Sequence, residues 1–484
     1  MTDLRRTAVR GFSWTGLAQG SGYLIQVGAL GLVVRHLSEP SRAFGTEVAA
    51  ATLVGVGILA SEMGLGRALI QKRDAYEAHL AAAFWMGLAI SCTLAALLYL
   101  TARFWGGLFF DDPQVSAVLP AMAWVLVFAG IGTVPRAQLE RNFRFGQLAI
   151  LDVCAAVSSG ITMVSLALCG FEVWSLVWAF VVRHAVLGLG PWIFCPFNPV
   201  RSFKAVDARV LVGFGGKWTG SRLVGYVQQN LDYLLIGRFL GIEALGYYGL
   251  AYRLIAFPQT RVVQAVAKVT FPAFSALQDD VVRLGRAYLS TVKYIAILVF
   301  PIMAGFFLLA HPGLVLLFEP EMAPAAVVLQ LLSPAGALRS VASPAGLVFS
   351  ALGRTGLALI WNIAGAVFML AALWFGISGG ITGTALAVSL GVLVLTVGSQ
   401  GIVNRLARIS FGEYLRALYP GAVGSVLMTG VVAGYKWLVT GVLPDTTLVA
   451  SCVVAGALAY PLALRFFSAG TAAEALRLAG LIRR

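Results

Sequence analysis

The sequence predicts an all-α polytopic membrane protein with about 14 transmembrane helices, and three observations carry that expectation. Of its 484 residues, 59% are hydrophobic and only 12% charged, whereas an average soluble domain has roughly 45–50% apolar and about 25% charged residues. The apolar residues fall in runs of about 20, the length that crosses a hydrocarbon core near 30 Å thick. The basic residues gather in every second connection, as the positive-inside rule demands.

The runs lie at approximately 11–34, 43–66, 79–102, 115–137, 148–169, 172–195, 215–240, 243–267, 288–310, 323–350, 356–376, 380–402, 417–439 and 447–467. At roughly 22 residues each they leave about a dozen residues per tail or connection. No connection can hold a folded catalytic or nucleotide-binding domain, so the function must reside in the membrane-embedded bundle. The first run follows Arg5, Arg6 and Arg10 but is too long for a signal-peptide core, and it reads as a retained signal-anchor.

An even number of spans places both termini on one side. That side collects 25 of the 35 basic residues, among them Arg67, Lys72, Arg73, Arg136, Arg141, Arg144, Arg283 and Arg286. The opposite side receives Arg35, Arg42, Arg103, Arg238 and Lys436 against eight acids: Glu39, Asp111, Asp112, Glu172, Glu243, Glu319, Glu321 and Asp445. Both termini are therefore expected to be cytoplasmic. The net charge of +14 is mostly a topology signal and not the footprint of a nucleic-acid partner.

One internal repeat is visible. Trp14-Thr15-Gly16, Arg35-His36-Leu37 and Phe44-Gly45 recur in order as Trp218-Thr219-Gly220, Arg238-Phe239-Leu240 and Leu245-Gly246-Tyr247. An offset of six spans preserves orientation, so two six-helix lobes related by a pseudo-two-fold axis along the membrane normal are expected, as in transporters built from parallel repeats. The divisions are an N-terminal lobe (1–205), a C-terminal lobe (206–405) and two additional helices with a cytoplasmic tail (406–484).

Charges inside the spans are the candidate functional residues. Arg183, Arg222, Arg253, Arg261 and Arg339 lie within runs, with the acids Glu47, Glu62, Asp152 and Asp232. Five arginines facing lipid would cost on the order of 10–15 kcal/mol, so such groups face a cavity or a partner. Counting from a turn near Gly241–Ile242 at ~1.5 Å per residue puts Asp232 and Arg253 near the midplane. They could form a structural ion pair. Arg222, Tyr226, Gln229 and Tyr233 follow helical spacing on one face, and Gln19, Tyr23 and Gln26 form a weaker stripe in the first span. A cationic interior suits an anionic, phosphate-bearing ligand, because guanidinium groups bind phosphate oxygens in bidentate fashion. Pro258, Pro334 and Pro344 suggest interrupted helices, serving as hinges or as packing features.

Several chemistries are excluded. There is no GxxxxGK[ST], no HExxH and no Gly-rich dinucleotide fingerprint. Cys92, Cys154, Cys169, Cys195 and Cys452 lie in or at the ends of apolar runs without CxxC spacing, as buried free thiols do. His184, beside Arg183, is the one histidine placed for proton coupling. No cofactor is expected, and energy would come from a proton or sodium gradient.

The sequence resembles the Wzx-type oligosaccharide flippases of the polysaccharide transporter family, within the multidrug/oligosaccharidyl-lipid/polysaccharide exporter superfamily. The resemblance rests on Gly11-Phe12-Ser13-Trp14, on Arg35-His36-Leu37 with Phe44-Gly45, and on the stretch from Gly64 to Gln71. Its strongest part is Asn230-Leu231-Asp232-Tyr233-Leu234-Leu235-Ile236-Gly237-Arg238-Phe239-Leu240-Gly241. It implies movement of undecaprenyl-pyrophosphate-linked oligosaccharide units from the cytoplasmic to the periplasmic leaflet of a bacterial inner membrane by alternating access, serving exopolysaccharide, capsule or O-antigen export. It also implies a cationic cavity, carried here by Arg183, Arg222, Arg253 and Arg261, and less directly by Arg339. Lipid-linked oligosaccharide, membrane lipids, a polysaccharide polymerase and export machinery are the partners it implies. The related lipid II flippases use basic residues in their first two spans, where this chain has none, which disfavours a peptidoglycan precursor. The alternatives are an ion-coupled efflux transporter of the multidrug-extrusion type, which calls for an acidic or aromatic cavity, and a membrane-embedded polymerase or ligase, which calls for a large periplasmic loop.

Overall fold

The structure, a computed structural model, describes residues 20–62 apart from 21 and 24, residues 76–195 apart from 143, and residues 205–467 apart from 442. All its regular elements are helical: α1 (Ile25–Val34), α2 (Pro40–Glu62), α3 (Tyr76–Leu100), α4 (Ala102–Phe109), α5 (Pro113–Met122), α6 (Trp124–Arg141), α7 (Phe145–Leu168), α8 (Val173–Leu189), α9 (Pro191–Phe194), α10 (Ala205–Phe239), α11 (Ile242–Ala276), α12 (Val281–Phe318), α13 (Pro324–Ala351), α14 (Thr355–Ile377), α15 (Gly380–Ala407), α16 (Phe411–Val439) and α17 (Asp445–Phe467). Each of the 14 apolar runs is met by helix, with α5 and α6 sharing the fourth. Eleven helical segments among the described residues are long and apolar enough to cross a membrane. At 35 residues each, α10 and α11 are about 52 Å long and fall outside that set, since they carry Arg222, Asp232, Arg253 and Arg261. The marks at 11–16 and 64–71 lie outside the described residues.

By packing, the chain divides into two compact units, Met1–Gly249 and Leu250–Arg484. The expected lobe division at 205/206 concerns sequence repeats; packing divides the chain later, inside α11, because α10 and the first turns of α11 bind helices of the first unit. The crossing of α11 on α2 shows why. A Cβ added to Gly45 would overlap the Ile242 carbonyl, and one added to Gly246 would overlap the Ser41 carbonyl. Ser41 and Ile242 each stand one turn before the glycine of their own helix, so the contact is reciprocal. Farther along, a Cβ on Gly249 would meet Val48. The two glycines of the sequence repeat, Phe44-Gly45 and Leu245-Gly246, thus pack on one another, and backbones approach this closely in membranes only where side chains are small.

The acid-rich end of the first unit is tied by ion pairs and a hydrogen-bonded carboxylate. Asp112 caps α5, accepting from the backbone N–H of Gln114 (2.7 Å) and Val115 (3.3 Å), and also meets Arg42 of α2 at 3.3 Å. Asp111, at φ 54°, pairs with Arg238 at 3.0 Å. Glu172, at φ 44°, accepts from the Ser38 backbone N–H (3.1 Å) and hydroxyl (2.6 Å). Arg42 and Arg238 were two of the five basic residues expected on the acid-rich side; neighbouring carboxylates hold both.

In the second unit, the 38-residue α12 is the central post on which α13 and α16 pack, with α15 on α13 and α17 on α16. Tyr288, fully buried, donates to Gln400 Oε1 (2.6 Å), and Gln400 Nε2 donates to Asn404 (2.7 Å), linking α12 to α15.

The helices around Pro135, Pro301, Pro312 and Pro344 run on without a break, and hydrogen bonds to the freed carbonyls explain how. Proline removes the N–H that the carbonyl four residues earlier would accept, and a membrane offers no water to replace it. For Pro135 that carbonyl belongs to Ile131 and accepts from Trp192 Nε1 (3.1 Å). For Pro301 it belongs to Ile297 and accepts from the Tyr460 hydroxyl (2.7 Å). For Pro312 it belongs to Leu308 and accepts from Lys436 Nζ (3.2 Å). For Pro344 it belongs to Ser340 and accepts from the Ser343 hydroxyl (2.7 Å). Lys436, a third basic residue on the acid-rich side, has this structural task.

Candidate functional site: polar side chains within the spans

In the first unit, Arg183 is half-buried on α8, eleven residues along that helix. Its neighbour His184 donates Nδ1–H to the Phe180 carbonyl at 2.9 Å and lies against the Phe180 ring, centroids 4.4 Å apart. On α10, Arg222 and Gln229 are exposed, while Tyr226 between them is half-buried. The Tyr226 hydroxyl donates to the Thr52 carbonyl of α2 at 3.1 Å, so one member of the polar stripe pins α10 to α2. Gln26 is half-buried on α1.

Asp232 is 6% exposed and Tyr248 fully buried. The carboxylate accepts from the Tyr248 hydroxyl at 2.7 Å and from the Tyr233 backbone N–H at 3.0 Å, and the two tyrosine rings meet edge to face. The turn at Leu240–Gly241, with Gly241 at φ 90°, puts residues 232 and 248 level, each eight residues from position 240. Arg253 lies five residues farther along α11, about 7.5 Å beyond Tyr248.

In the second unit, Arg253 is half-buried on α11, and the Arg261 side chain lies outside the described residues. Arg339 of α13 is half-buried. Its Nη1 donates to the Tyr252 hydroxyl at 2.7 Å, and its Cζ lies 5.8 Å from the Tyr252 ring centroid. A guanidinium bonded to a neutral phenol retains its charge. Among the described residues no three His, Cys, Asp or Glu side chains cluster as metal ligands.

Three residues that complete these arrangements escaped the reading of the sequence. Tyr248 needed a finer turn count: centring the turn on position 240 instead of Gly241–Ile242 places Tyr248, not Arg253, level with Asp232. Tyr252 stood beside Arg253 without a signal linking it to Arg339, 87 residues away. Thr52 acts through its backbone, which no side-chain pattern reports.

A bundle of apolar helices that keeps arginines, glutamines and a carboxylate within its spans is a polytopic membrane transporter. Residues 32–323 match the family described as polysaccharide biosynthesis protein. The chain belongs to that family. It is 26% identical to the teichuronic acid biosynthesis protein TuaB of Bacillus subtilis over 75% of each chain. It is 25% identical to the succinoglycan biosynthesis transport protein ExoT of Rhizobium meliloti over 88% of this chain and 86% of that one. Among solved structures, the lipid II flippase MurJ in its inward closed conformation superposes with a TM-score of 0.76 at 14% identity, covering 94% of this chain and 99% of MurJ. At that identity the likeness is one of fold, and it supplies the two-lobe, 14-helix architecture expected from the repeat.

Proposed function

We propose that the protein flips undecaprenyl-pyrophosphate-linked oligosaccharide units from the cytoplasmic to the periplasmic leaflet of a bacterial inner membrane by alternating access, for exopolysaccharide, capsule or O-antigen export. Membership in a polysaccharide biosynthesis family, in a chain that keeps five arginines within its spans, is the observation that carries this reading. The relatives named for teichuronic acid and succinoglycan biosynthesis support a glycan cargo, and the fold shared with a lipid II flippase supports a lipid-linked one. Arg183, Arg222, Arg253, Arg261 and Arg339 bind the diphosphate, Gln26 and Gln229 offer hydrogen bonds to sugar hydroxyls, and Tyr226 and Asp232 hold the helices that present them. The lobes 1–205 and 206–405 open alternately, driven by a proton or sodium gradient, with both termini cytoplasmic. The cargo passes unchanged to a periplasmic polymerase, so the protein acts without catalysis. Five interior arginines oppose a multidrug-extrusion role toward cationic drugs, since like charges repel in a low dielectric.

The test is the leaflet distribution of a lipid-linked oligosaccharide in a deletion strain. Accumulation on the cytoplasmic side, reversed by the intact protein, is expected; an unchanged distribution overturns the reading.

A further inference from the structure

The Arg339–Tyr252 pair differs from a simple ion pair in ways that bear on what the arginine can do. We propose that Tyr252 is a positioning residue that aims the Arg339 guanidinium at the diphosphate of the cargo, an inference that rests on the flippase reading above.

One contact defines the guanidinium: the 2.7 Å bond from Nη1 to the phenol oxygen fixes one corner of the fork, with Cζ 5.8 Å from the ring centroid, out beyond the hydroxyl. The five N–H donors of arginine sit in a rigid plane, so holding one corner narrows the directions open to the rest. Bidentate binding of phosphate depends on that plane. The phenol orients the group without cancelling its charge, which a carboxylate in the same place would do.

The surrounding backbone is built for the contact. Gly336 stands three residues before Arg339, and a Cβ there would crowd Ile255 Cγ2 at 2.5 Å and Met303 Sδ at 3.0 Å. Ile255 stands three residues after Tyr252. The missing side chain at 336 therefore admits α11 to the distance that the bond from 252 to 339 requires. The Ser340 hydroxyl bonds the Gly336 carbonyl and the Ser343 hydroxyl bonds the Ser340 carbonyl, each at 2.7 Å. The second of these bonds takes up the carbonyl that Pro344 leaves free, just after Arg339. An arginine with one corner of its fork already held loses less freedom on binding than one that must be ordered by its ligand.

The test uses the full-length protein in nanodiscs with undecaprenyl pyrophosphate as the probe, comparing Tyr252→Phe, Arg339→Gln and the double variant by affinity and melting temperature. Phenylalanine keeps the ring and removes only the hydroxyl. Expected is a roughly fivefold to tenfold weaker affinity for Tyr252→Phe with an unchanged melting temperature, and no further loss when it is added to Arg339→Gln, as for residues acting through one group. Losses that multiply in the double variant, or an affinity unchanged by Tyr252→Phe, overturn the positioning role while leaving the flippase reading intact if Arg339→Gln weakens binding. An unchanged affinity in Arg339→Gln alone also overturns it. If Arg183→Ala and Arg253→Ala leave the probe bound as before too, the diphosphate reading of the interior arginines falls with it.

Discussion

Tyr248 and Tyr252 stand one turn apart on α11 and use their hydroxyls in opposite senses. Tyr248 donates to the Asp232 carboxylate, and Tyr252 accepts from the Arg339 guanidinium. A phenol can satisfy either sign of charge without neutralising it, which matters in surroundings of low dielectric, where an unsatisfied polar group is costly. Burial separates the two pairs. Tyr248 is fully enclosed and Asp232 nearly so, which makes their bond a brace between α10 and α11. Tyr252 and Arg339 are both half-buried, which leaves the arginine within reach of a ligand. One chemical group thus serves architecture in one unit and, on the proposal above, recognition in the other.

The strongest way to break this comparison is to unseat the turn that carries Tyr248. Replacing Gly45 or Gly246 with Leu drives a side chain into the opposing carbonyl at the α2–α11 crossing. Overpacking a tight contact costs ~1–3 kcal/mol, and more where backbone is struck. The expected outcome is loss of the protein from the membrane and of export together, read by immunoblot and by glycan output. Normal accumulation of both variants would show that the reciprocal contact is dispensable.

Next in size is the functional side. Arg183→Ala and Arg253→Ala are expected to abolish complementation of a deletion strain while membrane levels stay normal, because they remove ligand contacts and leave the crossings intact. Arg238→Ala is the control. Its pair with Asp111 is exposed on both sides, 43% and 77% by side chain, and exposed pairs contribute about 0–1 kcal/mol, so export should persist. Full export by both interior variants would defeat the cationic-interior proposal.

The contrast between these sets also marks what could be read from the sequence. Hydropathy gave the spans because each must be about 20 apolar residues long whatever its neighbours are, and Gly241 marked the hairpin because a turn of that kind needs φ > 0. The interior arginines stood out by their cost. Their partners did not, since Tyr252 and Arg339 are joined across 87 residues and Tyr226 and Thr52 across 174, and no periodicity spans such gaps. The prolines were read as possible interruptions. Of those read, Pro344 lies in a helix that runs on with Ser343 taking up the freed carbonyl, as Trp192, Tyr460 and Lys436 do from other helices for Pro135, Pro301 and Pro312. Lys436 and Arg238, two of the five basic residues on the acid-rich side, are held by the Leu308 carbonyl and the Asp111 carboxylate.

Tyr248→Phe sharpens the comparison from the architectural side. It keeps the ring and leaves a buried carboxylate without one of its donors. Hydrogen bonds to charged groups are worth about 1.5–3 kcal/mol, so a lower melting temperature in detergent is expected, with export retained at permissive temperature. Tyr252→Phe should do the reverse, leaving melting unchanged and weakening ligand binding. Equal effects of the two variants on melting would erase the distinction drawn from burial.

A third phenol gives the smallest effect and the most specific test. Tyr460 of α17 donates to the Ile297 carbonyl, which is open because Pro301 has no N–H to offer it. Tyr460→Phe leaves that carbonyl unsatisfied in an apolar setting, at a cost of about 1 kcal/mol, the net value of a neutral hydrogen bond. Pro301→Ala restores a backbone donor to the same carbonyl. In the Pro301→Ala background the Tyr460→Phe penalty should therefore shrink toward zero, as measured by thermal unfolding of the four proteins in a double-mutant cycle. A penalty of the same size in both backgrounds would mean that Tyr460 stabilises α17 by packing alone, and that the freed carbonyl is not what holds the C-terminal helix to α12.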